Sequence, residues 1–276
     1  MVDMGNIWDR TVAFVGDHAR AIVPVALLAL LLPLSIGNVI SGAAQACDDS
    51  INPLVAGVAG VVLVLPTLWA QLALSALVLA PEGGAGPAHR AATAGLWRAI
   101  AAMLVIFVAF AIVAIPLALA MPAGAGAMRG GCDAAATAGQ FHAVGWFLPL
   151  YGVLFAVAAV FVSVRLTMLY PVIVAERRSV GAIGRAFRLS AGITWKLIGV
   201  WLVFGIVYVI AWMAASSAIG AILRLLAPGA GPYAVTSILL AIIVAAVRTA
   251  FTVIVATFAA QLYCAVTGPG VERTTA

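Results

Sequence analysis

Residues 100–121 read IAAMLVIFVAFAIVAIPLALAM, a stretch without a single charged side chain. About 20 helical residues cross the hydrocarbon core of a bilayer, so this stretch is long enough to span a membrane. In lipid, backbone N–H and C=O groups find no partner outside the segment, and a helix satisfies them internally. The stretch therefore predicts a transmembrane helix.

Five further apolar runs of similar character flank this stretch. Together the six runs predict spans at about residues 22–40, 53–79, 100–121, 144–169, 197–223 and 233–266. The fourth run is uncharged from Val144 to Val164 and reaches residue 169 only by including Arg165. We therefore predict an all-α fold, a single integral membrane domain built as a bundle of six transmembrane helices.

The composition excludes a water-soluble fold. Of the 276 residues, 65% are hydrophobic and 8% are charged, whereas a soluble domain is about half apolar and about a quarter charged. The net charge of +5 does not indicate nucleic acid, because the cations lie at the ends of apolar runs, where membrane proteins carry them. Membrane lipids are the expected partners, and the abundance of Ala, Gly and Arg is typical of a GC-rich bacterial genome.

The distribution of cations predicts the orientation in the membrane. Ten Lys and Arg lie in the N-terminal segment, the second and fourth connections and the C-terminal segment, against two, Arg129 and Arg224, on the other side. Positive loops stay in the cytoplasm. We expect a multi-pass protein of the bacterial plasma (inner) membrane with both termini cytoplasmic.

The first span has an alternative interpretation. Arg10 and Arg20 precede it, and Ala44-Gln45-Ala46 resembles a signal-peptidase site. Because the run is longer than the usual apolar region of about 7–15 residues in a signal peptide, we expect an uncleaved anchor. Cleavage would leave five spans.

The fourth connection contains a pattern typical of a short amphipathic helix. Ser179 is a candidate N-cap, and one helical face collects apolar or small residues: Val180, Ile183, Gly184, Phe187 and Ala191. Arg178, Arg185 and Arg188 lie toward the other face. We predict a cytoplasmic interfacial helix with these three arginines at the membrane surface; the alternative is an ordinary basic loop.

The stretch from Arg165 to Lys196 carries a recognisable set of residues. They are Arg165, Pro171, Ile173, Val174, Glu176, Ala182, Leu189 and Trp195. This pattern resembles the membrane-domain family named after glycerophosphodiester phosphodiesterases. The chain departs from the family at Ile183 and at Ala186-Phe187, and retains only Leu262-Tyr263 of the usual ending. The resemblance implies a membrane module, often found without the hydrolase.

Residues for catalysis or metal binding are scarce. The hydrolase needs a His-Arg-Gly start and metal-binding carboxylates, and the chain has neither; its three histidines, His18, His89 and His142, are scattered. We expect no metal, no cofactor and no enzymatic activity. The leading hypothesis is a protein that organises or binds lipids or anchors a protein partner; the alternative is a transporter or channel for a small anionic or lipidic solute.

Two arginines within apolar runs are the candidate ligand-binding residues. Arg165 ends the fourth run and Arg248 lies about halfway along the last, where a charged group is costly. Each either reaches toward the headgroups or holds a phosphate between helices, with Gln71 and Glu176 as further polar ligand candidates. The last run exceeds a bilayer core in length, so it tilts, breaks or projects outward.

Three cysteines allow one disulfide. The predicted topology places Cys47 and Cys132 in external loops and Cys264 near the cytoplasmic end of the last span. External thiols can oxidise. We predict a Cys47–Cys132 disulfide; the alternative is two unpaired thiols.

Overall fold

The computed structural model describes residues 4–45, 52–120, 147–226 and 233–268. Helix accounts for 93% of the structure, and no strand occurs in these ranges. Six helices are long and apolar enough to cross a membrane. The predicted all-α membrane bundle is therefore confirmed.

We number the six spans in chain order. They are Ala19–Ala43, Leu54–Leu79, Ala85–Ile115, Leu150–Glu176, Thr194–Leu223 and Val235–Thr267. The helices that form them are Ala19–Val25, Leu32–Gln45, Pro53–Leu79, Ala85–Ala120, Phe147–Arg165, Leu169–Glu176, Thr194–Met213, Gly220–Leu226 and Val235–Thr267. π-Helical segments, Ala26–Leu31 and Ala214–Ile219, interrupt spans 1 and 5, and a 3₁₀ turn, Leu166–Met168, interrupts span 4.

Two shorter α-helices and a 3₁₀ turn, Pro81–Gly83, complete the helical elements of the described residues. The N-terminal helix, Met4–Asp17, precedes span 1, and the amphipathic helix, Gly181–Ser190, connects spans 4 and 5. In the sequence the N-terminal segment stood out only for Arg10 and Arg20. Its helix packs against span 6 and buries Ile7, Thr11 and Phe14, whose spacing of four and three residues puts them on one helical face.

The helix of span 3 begins well before the uncharged stretch that predicted it. It starts at Ala85, about fifteen residues before Ile100, and passes Arg90 and Arg98 without interruption. Pro87 lies in its first turn, where proline is tolerated. Small residues repeat every four and three positions along this extension and are all buried: Ala88, Ala92, Gly95, Ala99 and Ala102. They let the extension pack closely onto its neighbours.

Close packing is concentrated at one end of the bundle. Spans 2, 4 and 6 end there and spans 1, 3 and 5 begin there; we call it the basic end, because it carries the fourth connection with its arginines. Leu72, Met168 and Leu262 are completely buried at this end, whereas Leu54, at the opposite end of span 2, is 77% exposed. Exposed apolar side chains are expected where helices face lipid, since lipid chains are as apolar as leucine.

The amphipathic helix is present, and it packs against span 4 through a row of small side chains. Ala182, Ala186 and Ser190 are buried against Leu166–Met168 and Leu169–Glu176, while Val180, Gly184 and Ala191 of the predicted face are exposed. Small side chains at every fourth position permit close helix approach. Val180, Gly184 and Ala191 stay accessible to a membrane surface, and their contact with lipid stays a prediction.

Candidate functional site

Glu176, the last residue of span 4, is the centre of a charged cluster. Its Oε1 accepts a hydrogen bond of 2.9 Å from Nε of Arg185, and its Oε2 lies 3.5 Å from Nε of Arg178. Arg177 adopts a left-handed conformation with φ of 51°, as residues that end helices often do. The ion pair with Arg185 therefore ties the amphipathic helix to the end of span 4, and the carboxylate is already engaged.

Tyr263, near the end of span 6, meets the same cluster. Its side chain is buried, and the hydroxyl lies close enough to Glu176 and Arg185 to feel both charges. The hydroxyl is within reach of the Glu176 carboxylate, although no hydrogen bond of good geometry joins the two groups in the described chain. The cluster thus brings span 4, the amphipathic helix and span 6 together.

Arg165 occupies an unusual environment at the end of the helix Phe147–Arg165. Its Cζ lies 4.7 Å from the ring centre of Phe161 and 5.7 Å from that of Phe187. Its Nε is buried and has no hydrogen-bond partner among the described residues. No carboxylate of the described ranges forms an ion pair with it, so two aromatic faces are its principal electrostatic contacts.

A hydrogen bond between spans indicates how deep Arg165 lies. Nε1 of Trp201 donates to Oγ1 of Thr167 at 2.9 Å, so Thr167 and Trp201 are at a similar level. Trp195, which is 83% exposed, precedes Trp201 by six residues, or about 9 Å along a helix. Tryptophans of this kind mark the membrane–water interface. Arg165 therefore lies below the level of Trp195, on the membrane side.

The other two predicted ligand residues do not join Arg165. Gln71 is half-buried in span 2, and its side chain makes no hydrogen bond to Arg165 or Glu176 in the described structure. Arg248 is exposed on span 6, which is one unbroken helix. Fifteen residues separate Arg248 from Tyr263, or about 22 Å along the helix, so it is remote from the Glu176 cluster.

The remaining predicted residues have separate environments. Arg188 is exposed and forms no ion pair in the described part of the chain, so it stays available to a membrane surface. Cys47 and Cys132 lie outside the described residues, and their disulfide stays a prediction. Cys264 is an exposed thiol on span 6.

A groove that the sequence did not indicate runs between the N-terminal helix, span 5 and span 6. Its volume is about 760 Å³, and we call it the aromatic groove because Trp8, Phe204, Phe251 and Phe258 line it. The rings of Trp8 and Phe204 meet edge to face with centroids 5.4 Å apart. The aromatic residues are evident in the sequence. No local sequence pattern predicts that residues from these three distant segments pack together.

Across the four described ranges, no three His, Cys, Asp or Glu side chains come together as a metal site would require. The basic end carries the guanidinium of Arg165, which has no ion-pair partner in the described residues, and the carboxylate of Glu176, which pairs with Arg185 and Arg178. One end of the aromatic groove also lies there. No protein-family model, curated protein or solved structure matches the chain.

Proposed function

We propose that this protein is a non-enzymatic integral membrane protein that binds anionic phospholipid at its basic end, with Arg165 as the phosphate ligand. One observation carries the proposal: the guanidinium of Arg165 lies between Phe161 and Phe187 without a carboxylate partner in the described residues. A lipid headgroup supplies the missing negative charge.

The energetics support an external anion. A charge held within the membrane costs several kcal/mol or more, and a cation–π contact recovers only about 0.5–2 kcal/mol. The planar guanidinium can still offer donors in a fork that matches phosphate oxygens bidentately.

The positions of the motif residues support membership of the glycerophosphodiester phosphodiesterase membrane-domain family. Pro171 and Ile173, near the end of span 4, and Ala182, in the amphipathic helix, are all buried, and these two helices contact each other. Tyr263, which belongs to the remnant of the family's usual ending, lies beside Glu176. Contact between the two helices that carry most of the motif, and the proximity of Tyr263 to Glu176, are consistent with one module.

The proposed location is the inner membrane of a bacterium, with the basic end in the cytoplasm. The bias of cations toward this end supports that orientation, and an even number of spans keeps both termini on one side. Anionic lipids of the cytoplasmic leaflet attract exposed cations such as Arg188, each by about 1 kcal/mol.

Replacement of Arg165 tests the proposed function. Purified wild-type protein, Arg165→Ala, Arg165→Lys and the control Arg188→Ala are incubated with phosphatidylglycerol, and retained lipid is counted by native mass spectrometry. We expect Arg165→Ala to lose one tightly held phosphatidylglycerol, with at least tenfold weaker binding. Arg165→Lys should keep part of the affinity, because lysine retains the charge but not the fork.

Phe187→Leu provides a second variant, which removes the aromatic ring but keeps a large apolar side chain to fill the same space. Loss of one aromatic face should weaken phosphatidylglycerol binding severalfold while the protein remains folded. Arg188→Ala should bind like wild type. If Arg165→Ala retains as much phosphatidylglycerol as wild type, Arg165 only reaches toward the headgroups and the proposal is wrong.

Transport of a small anionic or lipidic solute is the alternative, and one feature favours it. The π-helical segments of spans 1 and 5 both contact span 6, which carries Arg248, and such segments often occur at functional sites. A transporter should change the accessibility of position 248 when solute is added. Thiol labelling of Arg248→Cys in a Cys264→Ser background would measure this, and constant labelling would count against transport.

A further inference from the structure

The walls of the aromatic groove are held in place by contacts between aromatic rings, so the groove is not a gap between loosely packed helices. Phe204 contacts the rings of Trp8, Phe251 and Phe258 at centroid distances of 5.4, 6.4 and 6.4 Å. Aromatic pairs at such distances are mutually attractive. The N-terminal helix forms one wall and is itself anchored on span 6 by its buried residues, so the groove exists before any ligand arrives.

The length of the groove matches a lipid chain. It follows span 5 from Trp195 to Val207, a rise of about 18 Å for twelve residues. One leaflet contributes half of a hydrocarbon core of about 30 Å, so one acyl chain reaches about 15 Å. Val203 and Val207 line the groove and are exposed, which leaves it open sideways to the bilayer.

One end of the groove is polar and basic. Trp195 and Lys196 line that end, where Trp195 marks the interface. Lys196 is exposed and has no ion-pair partner in the described ranges. The ammonium of Lys196 at the interface can bind a lipid phosphate, and the apolar remainder of the groove can bind an acyl chain of the same lipid.

We infer that the aromatic groove holds one acyl chain of an anionic phospholipid whose phosphate contacts Lys196. This is a second lipid site, formed by the N-terminal helix, span 5 and span 6, and Arg165 does not line it. Charge complementarity at Lys196 selects a phospholipid with net negative charge over a zwitterionic one.

Gly199 provides a direct test. It lines the groove, and a Cβ built there meets no atom within 4 Å, so Gly199→Leu fills the groove without displacing the helix. Gly60→Leu is the matched control, because Gly60 is exposed on span 2 outside the groove and is equally unobstructed. Native mass spectrometry with phosphatidylglycerol should show two tightly held lipids for wild type and Gly60→Leu, and one for Gly199→Leu.

The charge is tested by Lys196→Gln, with Arg98→Gln as control. Arg98 follows Trp97 in span 3 as Lys196 follows Trp195 in span 5, but it does not line the groove. Lys196→Gln should lower the preference for phosphatidylglycerol over phosphatidylcholine at this site at least fivefold. Arg98→Gln should leave that preference unchanged.

The outcomes separate this site from the one at Arg165. Gly199→Leu and Arg165→Ala should each lose one lipid, and the double variant should lose both. If Gly199→Leu retains as many lipids as wild type, or Gly60→Leu loses one equally, the groove proposal is overturned. An unchanged lipid preference in Lys196→Gln would overturn it as well. If Arg165→Ala loses a lipid but Gly199→Leu does not, the proposed function remains supported and only the groove site is wrong.

Discussion

Glu176 and Arg185 form the polar link between span 4 and the amphipathic helix. Their hydrogen bond is 2.9 Å long, and the side chains are 18% and 38% exposed. Solvent reaches the arginine, so the pair is closer in strength to a surface ion pair, up to about 1 kcal/mol, than to a buried one. Arg188, three residues later, lacks such a partner in the described chain.

This difference predicts distinct effects for two neighbouring arginines. Arg185→Ala should lower the free energy of unfolding by about 1 kcal/mol, because Glu176 loses its shorter hydrogen bond. Arg188→Ala should change it by less than about 0.5 kcal/mol, as exposed substitutions usually do. Thermal unfolding of both variants in the same detergent measures the difference. Equal melting temperatures would show that the ion pair contributes nothing measurable.

Packing of the amphipathic helix depends on the small size of its inner residues. Ala182, Ala186 and Ser190 are fully buried, and the hydroxyl of Ser190 is satisfied by the carbonyl of Ala186 at 2.9 Å. Backbones can approach closely where side chains are small. The sequence contained this spacing of small residues, but the sequence analysis considered only the apolar face with Val180 and Phe187, which it assigned to lipid.

A larger residue on this inner face should be destabilising. Ala186→Leu should lower the free energy of unfolding by about 1–3 kcal/mol, the usual cost of overpacking a close contact. Gly184→Ala is the control on the same helix, because a Cβ at Gly184 meets nothing within 4 Å. That change should raise stability by up to about 1 kcal/mol, since alanine favours helix over glycine. Thermal unfolding that shows Ala186→Leu as stable as wild type would contradict the buried face.

The whole molecule is packed at one end and open to lipid at the other. The helix of span 3 has 36 residues and that of span 6 has 33, or about 54 and 50 Å, against a hydrocarbon core of about 30 Å. Both helices exceed the core, and their best-buried residues lie toward the basic end. We infer that the extra length lies mainly beyond the membrane there, with Trp97 and Trp195 near its surface.

The orientation of the whole chain in the membrane can be tested with reporter fusions. A green fluorescent protein fused after Ala276 should fluoresce, and an alkaline phosphatase fused there should be inactive, because the C-terminal segment is expected in the cytoplasm. Alkaline phosphatase fused after Gly130, in the third connection, should be active. An active phosphatase after Ala276 would contradict this topology, because the C-terminal segment would then lie outside the cytoplasm. Cleavage after Ala46 would not give that result, since it removes span 1 after insertion and leaves the C-terminal side unchanged.

The candidate site was foreseen only in part. Arg165 was recognisable because a cation in an apolar run is conspicuous, and Glu176 because it belongs to the motif. Their contacts were not foreseen: Glu176 is occupied by Arg178 and Arg185, and Arg165 stacks on Phe187 from another helix. Which side chains meet depends on how the helix Gly181–Ser190 rotates against span 4.

The sequence by itself determined the six helices, their all-α class and the existence of the amphipathic helix. These follow from the length of apolar runs and from local spacing, because lipid forces each apolar segment to satisfy its own backbone. Only the tertiary structure decided which face of that helix is buried, and only it formed the groove from Trp8, Phe204 and Phe258. Hydropathy cannot choose among helix contacts within a membrane, since lipid is as apolar as the side chains; close fit and a few polar contacts do.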